Sequence, residues 1–368
     1  MDADVTVIGA GIIGLAVSYS FSMQGYSVIL VEKEHRFGTG VSSRSSEQIH
    51  SGAYYEQNSL KALLCLKGKE LLYRFCEKHS IAYKRTGKLF IAVDEKEIDY
   101  LSLTKSQAES NGLYDLEELD SKQLQKIEPY IRGKAALLSP SSGIVDSHAL
   151  MSTMLRLSEA KGTTYACLSP VVGAEPFSEG WKVHIGGADP VTIKSKAVVN
   201  ASGLYSIELS RKIFPGRETP EPNPVKGGYL RYSGKSPLKH IIYPAIIPGR
   251  IEERVDATPE LGGSMRFGPS VEITGGIEDF SLSENLIDRF YPSIKRYFPK
   301  VDKSKLHLDQ AGIRPKIKID GISNPDFIFS WSPDFGWLDL WGMESPALTA
   351  SLAIGDYVYN SFNEKGII

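Results

Sequence analysis

An α/β fold, α+β overall, in which a parallel βαβ unit is joined to a second, antiparallel lobe, is predicted by three observations. Val5-Thr6-Val7-Ile8 is a short apolar run that breaks into Gly9-Ala10-Gly11-Ile12-Ile13-Gly14. A second buried run, Ser27 to Val31, ends in the acid Glu32, about 20 residues beyond the glycines. The length of 368 residues exceeds what one core fills, because single cores stop growing near roughly 250 to 300 residues.

The first unit reads as strand, glycine turn, helix and strand of a Rossmann-type dinucleotide-binding fold. Gly9 permits the tight turn, Gly11 lets backbone approach a pyrophosphate, and Gly14 lets the helix pack against the strand. The N-terminus of the helix, Leu15 to Gln24, then presents unpaired N–H groups to the phosphates. Glu32 is placed to receive a ribose 2′-hydroxyl and disfavours a 2′-phosphate.

Beyond this unit, Leu60, Leu63, Leu64, Leu71, Leu72 and Phe75 recur at helical spacing and predict a helix over 60–79. Lys88 to Val93 reads as a strand after the Gly87 turn. The polar stretch 94–130 has a helical pattern and ends at Glu128-Pro129. Asp146-Ser147 caps a helix to about Lys161, stopped by Gly162. Turn residues and alternation over Val171 to Ile193 suggest a small antiparallel sheet. Lys196 to Val199 is a buried strand opening into Asn200-Ala201-Ser202-Gly203. Proline and glycine density between Phe214 and Gly228 marks a crossing between lobes. Strands and loops follow over 225–275, a helix over 282–298, a strand from Phe327 to Trp331 and a helix from Ala347 to Tyr359.

The formal net charge of −2 and the absence of basic runs with interleaved aromatics exclude a nucleic-acid partner. Cys65, Cys76 and Cys167 have neither CxxC spacing nor an even framework, so buried or half-buried free thiols are expected, with no metal site. No apolar run reaches the roughly 18 residues that span a bilayer, and the first strand starts near the N-terminus, so a cytoplasmic protein, at most peripheral at the inner membrane face, is expected. Only one complete dinucleotide fingerprint is present, which implies one tightly held cofactor.

Further segments resemble a known family. The strand Ala197 to Val199 with Asn200-Ala201-Ser202-Gly203 is similar to the second nucleotide motif of flavoprotein oxidoreductases. Ser42-Ser43-Arg44-Ser45-Ser46-Glu47-Gln48-Ile49-His50-Ser51-Gly52-Ala53-Tyr54-Tyr55 resembles a segment of FAD-dependent dehydrogenases in the D-amino-acid-oxidase-like superfamily, which includes glycerol-3-phosphate dehydrogenases. Ser139 to Asp146, Lys226-Gly227-Gly228-Tyr229, Ile242-Tyr243-Pro244, Phe267-Gly268-Pro269, Gly312 to Lys316 and Gly342 to Leu352 resemble the L-2-hydroxyglutarate dehydrogenase/oxidase group in particular.

The resemblance implies FAD in a glutathione-reductase-like Rossmann domain (1–85, 145–220 and 310–368), with an inserted antiparallel substrate domain (86–144 and 221–309). It implies oxidation of a small 2-hydroxy acid, above all L-2-hydroxyglutarate to 2-oxoglutarate, by hydride transfer to flavin N5, with oxygen or a quinone as electron acceptor. A glycerol-3-phosphate dehydrogenase, an amino-acid or amine oxidase, and a flavin-binding protein without turnover are the alternatives.

Oxidising a 2-hydroxy acid requires a base for the hydroxyl proton and a cation for the carboxylate. His50 is the candidate base; a residue orienting the flavin, or a covalent attachment point to it, are the other readings. Arg314 is the candidate clamp, because a guanidinium fork matches a carboxylate, although a domain-bridging ion pair is the commoner fate of an arginine. Tyr54, Lys226, Tyr229 and Tyr243 are candidates for lining the substrate pocket.

The cofactor is expected to touch Gly9, Gly11, Ile12, Ile13 and Gly14 of the turn, and Glu32 and Lys33 at the end of the second strand. Thr39, Ser43, Arg44, Ser45 and His50 would follow its pyrophosphate and ribityl chain, with Val171, Ala201, Ser202, Gly203, Gly312 and Arg314 beside it. Glu344, Ser345, Pro346, Ala347, Leu348 and Thr349 open the last helix, whose N–H groups would face the pyrimidine ring, or whose Ser345 or Thr349 would simply cap it. Arg254-Val255-Asp256-Ala257-Thr258 departs from the family, which has a histidine where Asp256 falls. An ionised Asp256 there would repel a second substrate carboxylate unless paired with Arg254 or Arg266.

Overall fold

Two large sheets and the helices packed on them dominate the computed structural model, which describes all residues except 246–252, 275, 323 and 333–335. The strands and loops expected over 225–275 are thus described only outside 246–252 and 275.

Ala3–Ile8 lies parallel to Val28–Val31 on one side, with Val5 opposite Val28, and to Val191–Asn200 on the other, with Val7 opposite Val199. Burial on both faces accounts for these runs being continuously apolar. Thr164–Ala166 adds beyond Val28–Val31. The helices Ile12–Met23, Leu60–His79, Ser147–Glu159 and Ala347–Glu364 share one core with this sheet, through Leu15, Phe21, Leu72, Met151, Leu352 and Phe362. The helix Leu60–His79 begins at Ser59, whose side chain accepts from Ala62 N.

The small antiparallel sheet expected over 171–193 is a continuation of this first sheet. Val191–Asn200 is long enough to pair antiparallel with Gly180–Ile185 through its first half and parallel with Ala3–Ile8 through its second. Trp337–Trp341, which lies outside the sequence expectation, closes the free side of that second half, Val198 facing Trp337.

The second sheet runs in the order Glu272–Ile273, Val225–Tyr232, Met265–Phe267, Ala257–Pro259, Ile241–Pro244, Lys88–Ala92, Ala135–Ser139, Glu117–Asp120, with Leu306–Arg314 antiparallel to Val225–Tyr232. The helix Leu286–Tyr297 packs Leu286, Phe290, Ile294 and Tyr297 against it. Leu306–Arg314 pairs along its whole length with this second sheet, so the expected domain boundary at 310 falls within a strand. Glu117–Asp120 corrects the helical reading of 94–130. Between the helices Ile98–Ser110 and Ser121–Ile127 its charged residues form an edge strand on Ala135–Ser139, where charge is tolerated.

Gln48–Ile49, Gly143–Val145 and Tyr83–Lys84 form a three-stranded ribbon apart from the two large sheets. It delivers His50 immediately after its first strand. The thiols of Cys65 and Cys76 are buried as expected, whereas Cys167 is exposed.

Candidate active site

A cavity of about 1150 Å³ runs from the glycine turn to the face of the second sheet. At its nucleotide end Gly9 has φ +97°, and a Cβ there would lie 2.8 Å from the carbonyl oxygen of Ala201, so turn and second motif touch backbone to backbone. A Cβ on Gly14 would collide with the carbonyl oxygen of Gly9, which fixes its packing role. Glu32 accepts from Ala10 N at 2.7 Å and Glu34 N at 3.0 Å, holding its carboxylate at the strand end. An adenosine diphosphate with a ribose at Glu32 and phosphates at the N-terminus of Ile12–Met23 fits this cradle, and the volume of the cavity leaves room for an isoalloxazine beyond it.

Gly9, Gly11, Ile12, Ile13, Glu32, Lys33, Thr39, Arg44 and Ser45 line this cavity, as do Val171, Ala201, Ser202, Gly203, Gly312 and residues 344–348. Three cofactor candidates do not. Gly14 serves packing. Ser43 turns back to the carbonyls of Thr39 and Gly40, and its neighbour Ser42 faces the turn instead, accepting from Ile12 N at 2.9 Å. Thr349 is buried beneath the wall, where its hydroxyl accepts from His50 N and donates to Gln48 O. The capping reading of the last helix is also corrected: neither Ser345 nor Thr349 caps it, because both hydroxyls are drawn to the segment 48–50.

At the other end, the ring nitrogens of His50 are both engaged. Nδ1 lies 3.2 Å from Lys88 Nζ and 3.3 Å from Tyr54 Oη, and Nε2 lies 3.2 Å from Ser345 Oγ. Burial, with the charges of Lys88 and Arg254, holds the imidazole well below its ordinary pKa, so it is neutral at pH 7. Lys88 is 1% exposed, and burial brings its amine down to about 7 against the attraction of Asp256. Tyr243 packs its ring 3.8 Å from Lys88 Nζ and donates from its hydroxyl to Gln48 Oε1 at 2.9 Å.

Arg314 crosses over Gly227, where a Cβ would stand 2.6 Å from its Nη2, and donates to Ser270 O at 3.0 Å. Among the described residues no carboxylate lies within ion-pair distance of it. Asp256 is not such a partner. It is bound by Arg254, with Nε to Oδ1 at 3.0 Å and Nη2 to Oδ2 at 3.3 Å, while Arg266 pairs with Glu260 and Asp309. Tyr54, Tyr229, Tyr243, Arg254, Asp256 and Arg314 all line this end.

Lys226 is a correction. Its chain points to Asp279 at 2.9 Å rather than into the cavity, since neighbouring positions of a strand face opposite sides and Gly227 takes the inner one. Lys88 is the residue that sequence reasoning missed. Its signal is a lysine on the same strand face as Phe90 and Ala92, in a run that is buried throughout. Lys61 and Lys316, each 3.0 Å from Glu344, are a second such omission.

A family model described as DAO, FAD dependent oxidoreductase, matches residues 4–360. The chain is 34% identical to L-2-hydroxyglutarate dehydrogenase, mitochondrial, of Arabidopsis thaliana, over 98% of this chain and 83% of the relative. With the human protein of the same name it shares 28% over 98% and 89%. Its fold is similar to that of L-α-glycerophosphate oxidase from Mycoplasma pneumoniae, solved with FAD bound, at a TM-score of 0.88, 23% identity and coverage of 98% and 94%. Glycine oxidase from Geobacillus kaustophilus aligns at 0.81, with 20% identity and coverage of 98% and 95%.

Proposed function

The chain belongs to the DAO family of FAD-dependent oxidoreductases, and we propose that it oxidises L-2-hydroxyglutarate, or a close 2-hydroxy dicarboxylate, to the 2-oxo acid. The observation that carries this reading is the pairing, in one wall, of a neutral His50 with an Arg314 that has no carboxylate of its own among the described residues. FAD, when bound, supplies the two-electron acceptor that takes the hydride from the carbinol carbon.

Each remaining task falls to a named side chain. Arg314, held over Gly227 by the bond from Nη2 to Ser270 O, offers its remaining guanidinium N–H groups to the substrate's 1-carboxylate. His50 accepts the hydroxyl proton at Nε2, where the hydroxyl of Ser345 yields to the substrate's. The distal carboxylate meets Arg254, whose charge is shared with Asp256. The aromatic walls of Tyr54, Tyr229 and Tyr243 exclude water around the reacting carbon.

The relatives' names favour a 2-hydroxy dicarboxylate over glycerol phosphate or an amino acid, and the Arg254 pair answers the objection that Asp256 raises against turnover. Engagement of both nitrogens of His50 favours the base over a covalent tether. Arg44, bonded to Ala311 O and stacked on Phe280, serves the cofactor's side of the same wall. The relatives are named mitochondrial, so a cytoplasmic location is a proposal that fractionation of the source cells tests. Among the described residues no helix is long and apolar enough to cross a membrane.

The test is the visible spectrum of the holoprotein under anaerobic addition of 2-hydroxy acids, amino acids and glycerol phosphate. L-2-Hydroxyglutarate is expected to bleach the flavin bands fastest. Bleaching by glycerol phosphate or an amino acid, with none by any 2-hydroxy acid, would replace the reading.

A further inference from the structure

We propose that Lys88 is a positioning residue that decides which nitrogen of His50 carries the proton, and that it takes over the Nδ1 proton of His50 as the substrate's hydroxyl proton arrives at Nε2. The geometry is that of a relay. Lys88 Nζ sits behind the imidazole, 3.2 Å from Nδ1, and does not line the cavity, while Nε2 on the opposite edge meets Ser345 at the cavity wall. This rests on the hydroxy-acid reading for the identity of the substrate, but not for the behaviour of the resting protein.

A protonated Lys88 has three donors and no acceptor. It would donate to Nδ1, which forces the ring proton onto Nε2 and leaves no lone pair for the substrate. A neutral Lys88 accepts from Nδ1–H instead, and Nε2 is then free to act as base. With the amine brought down to about 7 by burial, both states are populated near neutral pH.

The groups facing this pair are few. Tyr54 comes from the segment after the ribbon, its phenol pushed up to about 12, and Cys65 from the helix Leu60–His79, its thiol also pushed up to about 12. Tyr243 on the neighbouring strand is held well above its ordinary value. Arg254 and Asp256 face it as an ion pair, and Gln48 is neutral. Asp256 is raised by burial against Arg254, Lys88 and Arg314. Among these, Lys88 is the base whose protonation changes around pH 7.

The same field explains why the proton does not stop at His50. An imidazolium would be a buried charge that faces Arg254, and burial first, then that charge, depresses its pKa even when Lys88 is neutral. In the proposed step the alcohol O–H bond breaks and its proton joins Nε2. The Nδ1–H bond breaks in turn, and its proton joins the amine of Lys88. The C–H pair leaves as hydride, the carbonyl forms, and His50 ends neutral in its other tautomer. The single positive charge produced rests on Lys88, where Asp256 attracts it.

Three proteins test this: wild type, Lys88→Met, which keeps the length of the chain without an acceptor, and Lys88→Arg, which is always protonated. In ¹⁵N-histidine-labelled resting holoprotein, with His50 assigned by its loss in His50→Gln, the wild-type ring is expected to pass from the Nε2–H to the Nδ1–H tautomer as pH rises through about 7. Lys88→Arg should stay Nε2–H throughout, and Lys88→Met should show no transition there. In anaerobic stopped-flow reduction by the best 2-hydroxy acid, the wild-type rate should fall below about pH 7.

Lys88→Met should lose that limb and be slower by about a hundredfold at pH 8. Lys88→Arg should be slower still at every pH. A Lys88→Arg as fast as Lys88→Met, a limb retained in Lys88→Met, or a tautomer that does not respond to pH in wild type overturns the proposal. Failure of every 2-hydroxy acid to reduce the wild type would instead overturn the substrate reading, with the tautomer shift still deciding the relay.

Discussion

Replacing Asp256 by Asn is the perturbation that asks most of this site. The carboxylate is 2% exposed and holds Arg254 through contacts of 3.0 and 3.3 Å. Removing one partner of a fully buried pair costs about 3 to 5 kcal/mol, because the other charge is left uncompensated. Arg254 keeps 29% of its side chain exposed, as part of the cavity wall, so the cost belongs at the low end, about 3 kcal/mol. With an unfolding entropy of about 2.1 cal mol⁻¹ K⁻¹ per residue, that lowers Tm by about 4 °C for a chain of 368 residues. The freed guanidinium is then available to a ligand, so saturating L-2-hydroxyglutarate should restore part of the loss, whereas L-2-hydroxybutyrate, without the distal carboxylate, should not. Because Asp256 also attracts the charge of Lys88, its loss should move the acid limb of flavin reduction to lower pH. Thermal unfolding of the holoprotein followed by flavin fluorescence, with and without each acid, reads the first two effects. An unchanged Tm together with equal protection by both acids would refute the idea that this pair is buried and faces the distal end of the substrate.

Gly11→Val should release the cofactor, since a Cβ there already meets Ser42 Oγ at 3.1 Å and the branch fills the phosphate approach; stoichiometric FAD after gel filtration would contradict this. Arg314→Lys should weaken substrate binding by about tenfold to a hundredfold, or about 1.5 to 3 kcal/mol, with the flavin spectrum intact. Gly227→Ala, which drives a Cβ to 2.6 Å from Nη2, should act in the same direction; unchanged apparent affinity in both variants removes Arg314 from the site. Lys88 titrates near 7 when folded and at 10.5 when free, so the unfolded chain binds more protons between those values and wild-type stability rises with pH across that window. Lys88→Met removes this slope: its advantage in unfolding free energy should be largest below pH 7 and shrink toward pH 10 by an amount on the order of 5 kcal/mol, and parallel stability–pH curves for the two proteins would refute the burial penalty.

The nucleotide half was legible because its signals are local. Val5–Ile8, the three glycines and Glu32 act through turn geometry and helix-end hydrogen bonding over about 30 residues of one βαβ unit, so the sequence alone determined strand, turn, helix and acid in order. His50 and Arg314 were likewise visible as residue types suited to their chemistry within short motifs. What required the tertiary structure was everything set by pairing between distant segments. Trp337–Trp341 is a strand because Val191–Asn200 offers it an edge, and Leu306–Arg314 joins the second sheet through Val225–Tyr232, which no local periodicity announces. The inward turn of Ser42 rather than Ser43, and the outward turn of Lys226, are one-residue questions of facing that only backbone register answers. The partner of Asp256 was open between two arginines until the fold chose Arg254. Lys88 is the extreme case: in sequence it is a lysine opening a strand, and it becomes an amine titrating near neutrality only because packing buries it behind a histidine 38 positions away, where desolvation and the charges of Asp256 and Arg254 are properties of the assembled wall.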